Sequence, residues 1–264
     1  MAAVGFALQA AALGLGAVLW SVHRSRRNPT PPHNVKNVLT AIALIPSAPV
    51  LVPQLVGAAA AELADLRQAV FAAASALPGR WLAIGVGPTD EVVAPTAAST
   101  FAGYGVDIRV GLSPDADDVR DLPLSALITA WVRAEVKPGA RAEVRVFAGG
   151  HSGQDAIRRG AELRSEIDRA NEPVGVLVVA DGANTLTQAA PGGHDPASVA
   201  VQSALDDALA AGDVAALSRL PTSITGRVGW QVMAGLVGAA PRSAKELYRG
   251  APFGVGYFAG VWQP

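Results

Sequence analysis

Residues 174–187 read VGVLVVADGANTLT. A β-branched, apolar run from Val174 to Ala180 ends at the turn signal Asp181-Gly182. A run apolar on both faces is expected of a central strand covered by helices on each side. Working outward, comparable runs at Val38–Ile45, Trp81–Val86, Val106–Val110, Glu143–Phe147 and Gly254–Trp262 are predicted strands. Helical patterns lie between them. Leu55, Leu63, Leu66, Val70 and Leu77 form a stripe near the 3.6 period, stopped by Pro78-Gly79. Ser152 and Asp155 make a capping box for a helix with Ile157, Gly160, Leu163 and Ile167 on its inner face. Asp195-Pro196 supplies an N-cap and an N1 proline for a helix through Val201, Leu205 and Leu209, ended by Gly212. Asp213 caps a short helix after it, and Gly226–Ala240 is predicted as a deeply buried helix. Pro88–Ala140, rich in Pro, Asp and Thr, is the least regular stretch and is expected to carry loops over one end of the sheet. Strand and helix alternate from residue 38 to 264 without an internal linker, so the expectation is one α/β domain.

Composition narrows the function. The chain has 264 residues and a net charge of −1, with 16% charged and 50% hydrophobic residues. Such a balance, with no long basic run, argues against a nucleic-acid binder and against disorder. The absence of cysteine excludes disulfides, thiolate metal sites, iron–sulfur clusters and a cysteine nucleophile. About one residue in five is alanine, and Lys36, Lys137 and Lys245 are the only lysines, a bias that GC-rich codons supply.

Residues 1–37 differ from the rest. Met1–Val22 contains no charge and is followed by His23-Arg24-Ser25-Arg26-Arg27 and the extended linker Asn28-Pro29-Thr30-Pro31-Pro32. As a helix it would reach about 33 Å, enough to cross a bilayer, and the positive-inside rule would leave the following domain in the cytoplasm. This apolar helix is therefore expected as a membrane anchor at residues 1–22. The alternatives are a disordered extension or a protein that starts near Val38.

Familiar chemistry is sparse. His23 and His33 precede the domain, and His151 and His194 stand alone, without metal-ligand spacing, as expected of solvated loop histidines. No phosphate-binding glycine motif or nucleophile elbow is present. Gly85-Val86-Gly87-Pro88 is expected as a tight turn, since Pro88 has no N–H to offer. Asp181 and Asn184 sit where ligands of open α/β sheets collect, or else cap the strand in an Asx-turn. Arg227, inside an apolar helix, needs a partner or water unless it snorkels at the helix start.

Further motifs are Ile45-Pro46-Ser47-Ala48-Pro49, Ala180-Asp181-Gly182-Ala183-Asn184, Pro191-Gly192-Gly193-His194-Asp195-Pro196, Gly226-Arg227-Val228-Gly229 and Ala251-Pro252-Phe253-Gly254-Val255-Gly256-Tyr257. In this order they resemble the B-subunit-like class III extradiol ring-cleavage dioxygenases (LigB/Memo-like), and within them an alanine-rich actinobacterial branch. The resemblance spans Val38 to Trp262. It implies a mixed central sheet flanked by helices on both faces. It also implies a ferrous ion held by two His and one Glu, with a further His as acid/base.

At those positions this chain differs. Ser47 stands where one histidine ligand is expected, and Gly85–Pro88 lacks the second imidazole. Ala183-Asn184 replaces the pair carrying the catalytic His, and Arg227 replaces the ligating Glu. At about 4 Å and an effective dielectric of 20, a guanidinium repels a unit charge by about 4 kcal/mol, and a dication by about twice that. The resemblance with these replacements leads to a pseudoenzyme without iron or other cofactor. Ser47, Pro88, Asp181, Asn184 and Arg227 are expected to line its remnant pocket. Arg227 is expected to pair with Asp181 or to bind an anionic small molecule or a protein partner's carboxylate. The alternative is a divergent dioxygenase, or another enzyme, working in the same cleft.

Overall fold

A computed structural model describes residues 38–264; the expected apolar helix and its linker lie outside the described residues. The chain runs β1 (Leu39–Ile45), a 3-10 turn at Pro49–Leu51, α1 (Pro53–Val56), a 3-10 segment at Gly57–Leu63, α2 (Ala64–Ser75) and β2 (Arg80–Gly87). Four short strands follow: β3 (Glu91–Val93), β4 (Ala97–Thr100), β5 (Arg109–Gly111) and β6 (Asp118–Val119). Then come α3 (Leu124–Val136), β7 (Arg141–Ala148), α4 (Gly153–Asp168) and β8 (Val174–Val179). The chain closes with α5 (Ala197–Ala211), α6 (Val214–Leu217), α7 (Arg227–Val237), β9 (Ser243–Gly250) and β10 (Tyr257–Gln263).

Seven strands form the central sheet in the order β3-β7-β2-β8-β1-β10-β9. The inner four are parallel: β8 sets Val176 against Ile42 of β1 and Leu82 of β2, and β2 runs beside β7 from Arg80–Arg141 to Gly87–Ala148. β3 joins β7 antiparallel on one side, and β10 and β9 close the other side antiparallel. The sheet is therefore mixed, and helices cover both faces. Every residue of β8 is buried, as its continuous apolar run requires.

Side chains alternate across the sheet and divide the core in two. Ala43, Ile45, Ala83, Val144 and Leu177 pack with α2 and α3 on one face. Ile42, Leu44, Ile84, Val176 and Val178 pack with α4, α5 and α7 on the other. β1 and β2 send the chain into α2 and α3, whereas β7 and β8 send it into α4 and the α5–α7 group. Neighbouring parallel strands thus always leave for opposite faces, which opens a crevice at the carboxyl end of each adjacent pair.

α4 and α7 cross at glycine. A β-carbon at Gly160 would lie 2.0 Å from the Val232 carbonyl oxygen, and one at Gly235 would lie 2.0 Å from that of Ile157. The two backbones touch there, where any side chain would hold them apart.

Several expectations change. The irregular stretch contains α3, whose inner residues from Ser125 to Arg133 are all buried. A helix buried all round has no polar face to give it a period. The same stretch also contains the small sheet β5-β4-β6, and the strand expected at Val106–Val110 begins at Arg109. β9 is an added strand whose alternating charges reflect its place at the sheet edge. The stripe from Leu55 to Leu77 is broken at Gly57, whose φ of 53° favours glycine. Ser152 caps α4 as expected, accepting from Asp155 N at 3.1 Å. Asp213 likewise caps α6, and Gly212 ends α5 with φ 70°. Asp195 accepts from Ala197 N at 2.9 Å, but α5 starts at Ala197, with Pro196 in the cap position. α7 stops at Val237, ahead of Gly238 with its φ of 71°. No helix among the described residues is long and apolar enough to cross a membrane.

Candidate functional site

Asp181 follows β8, and Ser47 follows the adjacent β1. The Ser47 backbone N–H donates to Asp181 Oδ1 at 2.8 Å, so the carboxylate bridges two strand exits. The expected Asx-turn is absent, because the Ala183 N–H donates to Gln202 Oε1 at 2.8 Å. Burial pushes the Asp181 carboxyl up to about 7 against the pull of the Ser47 N–H. Tyr257, at the start of β10, is buried, and that burial with the nearby Asp181 charge raises its phenol above the ordinary value.

The loop after β8 is held from three sides. The Asp181 carbonyl accepts from Gly226 N at 3.0 Å and from Trp230 Nε1 at 3.2 Å, which seats the first turn of α7 on the end of β8. Gly182 N and the Ala183 carbonyl bond to the backbone of Gly256, each at 2.8 Å. Gln202 lies between Gly182 and Gly256, where β-carbons would approach its amide oxygen to 2.0 and 2.1 Å. Its Nε2 donates to Asp206 Oδ1 at 2.8 Å, and burial pushes that carboxyl up to about 6.

Arg227 does not pair with Asp181. Its guanidinium turns the other way, donating to Gln231 Oε1 at 2.9 Å and to the carbonyls of His151 at 2.9 Å and Gly149 at 3.3 Å. The divergence follows from strand order: Asp181 turns toward β1, while Arg227 crosses the end of β2 to the loop after β7. Among the described residues no carboxylate lies within ion-pair distance of Arg227. It is half-buried and fixed, neither in bulk solvent nor neutralised by an acid.

Pro88 is exposed at the exit of β2, and no bond links it to Ser47 or Asp181. Asn184 lies against the backbone of Gly192, whose N–H donates to the Asn184 carbonyl at 2.9 Å. The five expected residues therefore share the carboxyl edge of the sheet, and of them only Ser47 and Asp181 are hydrogen-bonded to each other. Ser47 and Asp181 meet, Arg227 anchors a different loop, and Pro88 and Asn184 stand at the margins.

His151 corrects the expectation of a solvated loop residue. Its side chain is 18% exposed, and Nε2 lies 2.6 Å from Asp90 Oδ1. Asp90 also accepts from Ala148 N at 2.8 Å and pairs with Arg159 at 2.9 Å. These contacts hold its carboxyl below the usual range, outweighing the upward push of burial. Asp90 precedes β3 and His151 precedes α4, so the two meet past the ends of the adjacent strands β2 and β7, a contact that their separation of 61 residues hides in the sequence. His194, by contrast, is exposed as expected. Among the described residues no three His, Cys, Asp or Glu side chains converge to hold a metal.

No family model and no curated protein matches the chain. Among solved structures it is similar to the uncharacterized protein JW3007 of Escherichia coli K12. The similarity has a TM-score of 0.50 and 10% identity, over 85% of this chain and all of that one. The likeness is one of fold.

Proposed function

We propose that this chain is an extradiol-dioxygenase-like domain that has given up iron chemistry and acts as a non-catalytic binding module. The family's ferrous ion needs two imidazoles and a carboxylate. The corresponding positions supply a hydroxyl at Ser47, no side-chain donor at Gly85–Pro88, an amide at Asn184 and a guanidinium at Arg227. That donor set does not fit Fe²⁺.

The observation that carries the reading is the setting of Arg227. Gln231, Gly149 and His151 fix a permanent positive charge at the expected carboxylate position, with no acid beside it. A charge so held suits an anionic small molecule or the carboxylate of a protein partner. The domain acts in the cytoplasm, tethered to the membrane when residues 1–22 are present as an anchor.

Protein loaded anaerobically with Fe²⁺, then mixed with catechol and oxygen, tests this reading. The expected result is no ring-opened product, together with benzoate binding that weakens at least about tenfold in Arg227→Met. Turnover of catechol overturns it.

The second reading, an enzyme at the same edge, is favoured by one observation. A histidine held by a carboxylate is the arrangement of a general base. A metal-independent activity abolished by His151→Asn would decide for it.

A further inference from the structure

Past the end of β1 the pairing of the central sheet changes. β1 stops at Ile45 and its chain leaves for α1 and α2, so the loop after β8 bonds directly to the residue before β10. Gly182 N donates to the Gly256 carbonyl and Gly256 N to that of Ala183, each at 2.8 Å. Asp181 and Tyr257 flank this pair of bonds, and Ser47 joins them through its N–H on Asp181 Oδ1. Tyr257 belongs to the core half that α2 and α3 cover, together with Ala48, Leu51 and Val255, so the surroundings are apolar.

The carboxyl there is only half satisfied. Among the described residues, Asp181 Oδ2 and the hydroxyls of Ser47 and Tyr257 have no hydrogen-bond partner, and none of the three is sealed from solvent. No Arg, Lys or His among the described residues lies within ion-pair distance of Asp181, and only burial and the Ser47 N–H act on its carboxyl. A carboxylate drawn out of water without a cation is costly.

We propose that this strand exit binds the ammonium group of a small primary amine with an apolar body. One carboxylate oxygen and two hydroxyls offer three acceptors, and an ammonium group brings three donors. Its charge supplies the cation that the fold withholds from Asp181. The Tyr257 ring adds a face to which cations are drawn. A single carboxylate is too small a donor set for a metal ion, which takes several oxygens or imidazoles at once. The inference is independent of the family reading and of Arg227, whose guanidinium is spent on the loop after β7.

The test titrates the full chain with benzylamine and with its neutral counterpart benzyl alcohol, at pH 6 and pH 8, following the Ser47 amide and the Tyr257 ring by NMR. With its carboxyl raised to about 7, Asp181 is ionised in about a tenth of molecules at pH 6 and about nine-tenths at pH 8. Benzylamine is therefore expected to saturate, to shift both probes and to bind about tenfold tighter at pH 8, with the alcohol at least about tenfold weaker there. Tyr248 of β9, raised by burial and by Asp65 of α2, stays neutral over this range, as Tyr257 does. Asp206 of α5 titrates near 6 behind Gln202, so the pH response is assigned through Asp181→Asn. That variant keeps an acceptor for the Ser47 N–H and is expected to bind benzylamine at least about tenfold more weakly at pH 8, with no pH response. Tyr257→Phe keeps the ring, loses one acceptor and should bind at least about fivefold more weakly. The proposal is overturned by no saturation up to about 10 mM benzylamine at pH 8, by equal affinity for the alcohol, by a flat pH response in the parent, or by unchanged affinity in either folded variant.

Discussion

Replacing glycine with alanine inside a helix ordinarily stabilises it by about 1 kcal/mol. Gly160→Ala in α4 is expected to do the reverse. The new methyl would stand 2.0 Å from the Val232 carbonyl oxygen and 2.7 Å from Leu236 N, both backbone atoms of α7 that no rotamer change can move. Relief to an ordinary contact requires α4 and α7 to part by at least about 1 Å, a gap that forfeits up to about half of the dispersion energy of atoms lining it. Overpacking of this kind costs about 1–3 kcal/mol and occasionally more. The upper part of that range applies, because the contacts span the face carrying Ala156, Leu163, Val228 and Val232. After subtracting the propensity gain, the net loss is about 2 kcal/mol. Urea unfolding followed by tryptophan fluorescence would show the midpoint falling by about 0.7 M for an m-value of about 3 kcal/mol/M. Gly235→Ala should behave alike. The double variant should lose less than the sum, since one displacement makes room for both methyls. A Gly160→Ala protein as stable as the parent would refute the reasoning.

Three other outcomes follow from the site and its supports. Asp181, raised in the fold to about 7, contributes stability that is full below about pH 4 and fades as pH rises through 7. Asp181→Asn, still able to accept from Ser47, should flatten that decline, and the two proteins should diverge by up to about 4 kcal/mol in urea titrations between pH 4 and 7. Parallel profiles would remove the buried-carboxyl account. Arg227→Met strips hydrogen bonds from Gln231, Gly149 and His151 and should lower stability by about 2 kcal/mol, with faster amide exchange in residues 149–152. Unchanged exchange there would show that the loop does not depend on the guanidinium. Ser152→Ala removes the cap of α4 and should cost about 1 kcal/mol by thermal unfolding, an effect that Ser152→Asp should largely spare.

What the sequence made legible was local. The runs that became β1 and β8 are apolar on both faces because helices cover both. The caps at Ser152 and Asp213 are short-range bonds, and Gly212 ends a helix by its own backbone freedom. α3 was hidden for the opposite reason: a helix buried on all sides offers no contrast between faces. β9 was hidden because an edge strand carries charges that resemble a loop. At the site, Asp181 was legible from its place after a strand, and its contact with Ser47 follows from adjacency of β1 and β8. The pairing of Arg227 with Asp181 was a plausible match of charges that ignored strand order, which sends the two side chains apart. Asp90 and Gln202 carried no signal, and Tyr257 appeared only as the end of a motif, since each acquires its role from partners that are distant along the chain.

The alternating departures of the parallel strands have an evolutionary corollary. Because Ser47, Pro88, Asp181 and Asn184 all lie past the strand ends, outside both halves of the core, each can be exchanged without repacking the interior. Such an architecture lets chemistry be lost or regained at one opening while its neighbours drift under separate selection.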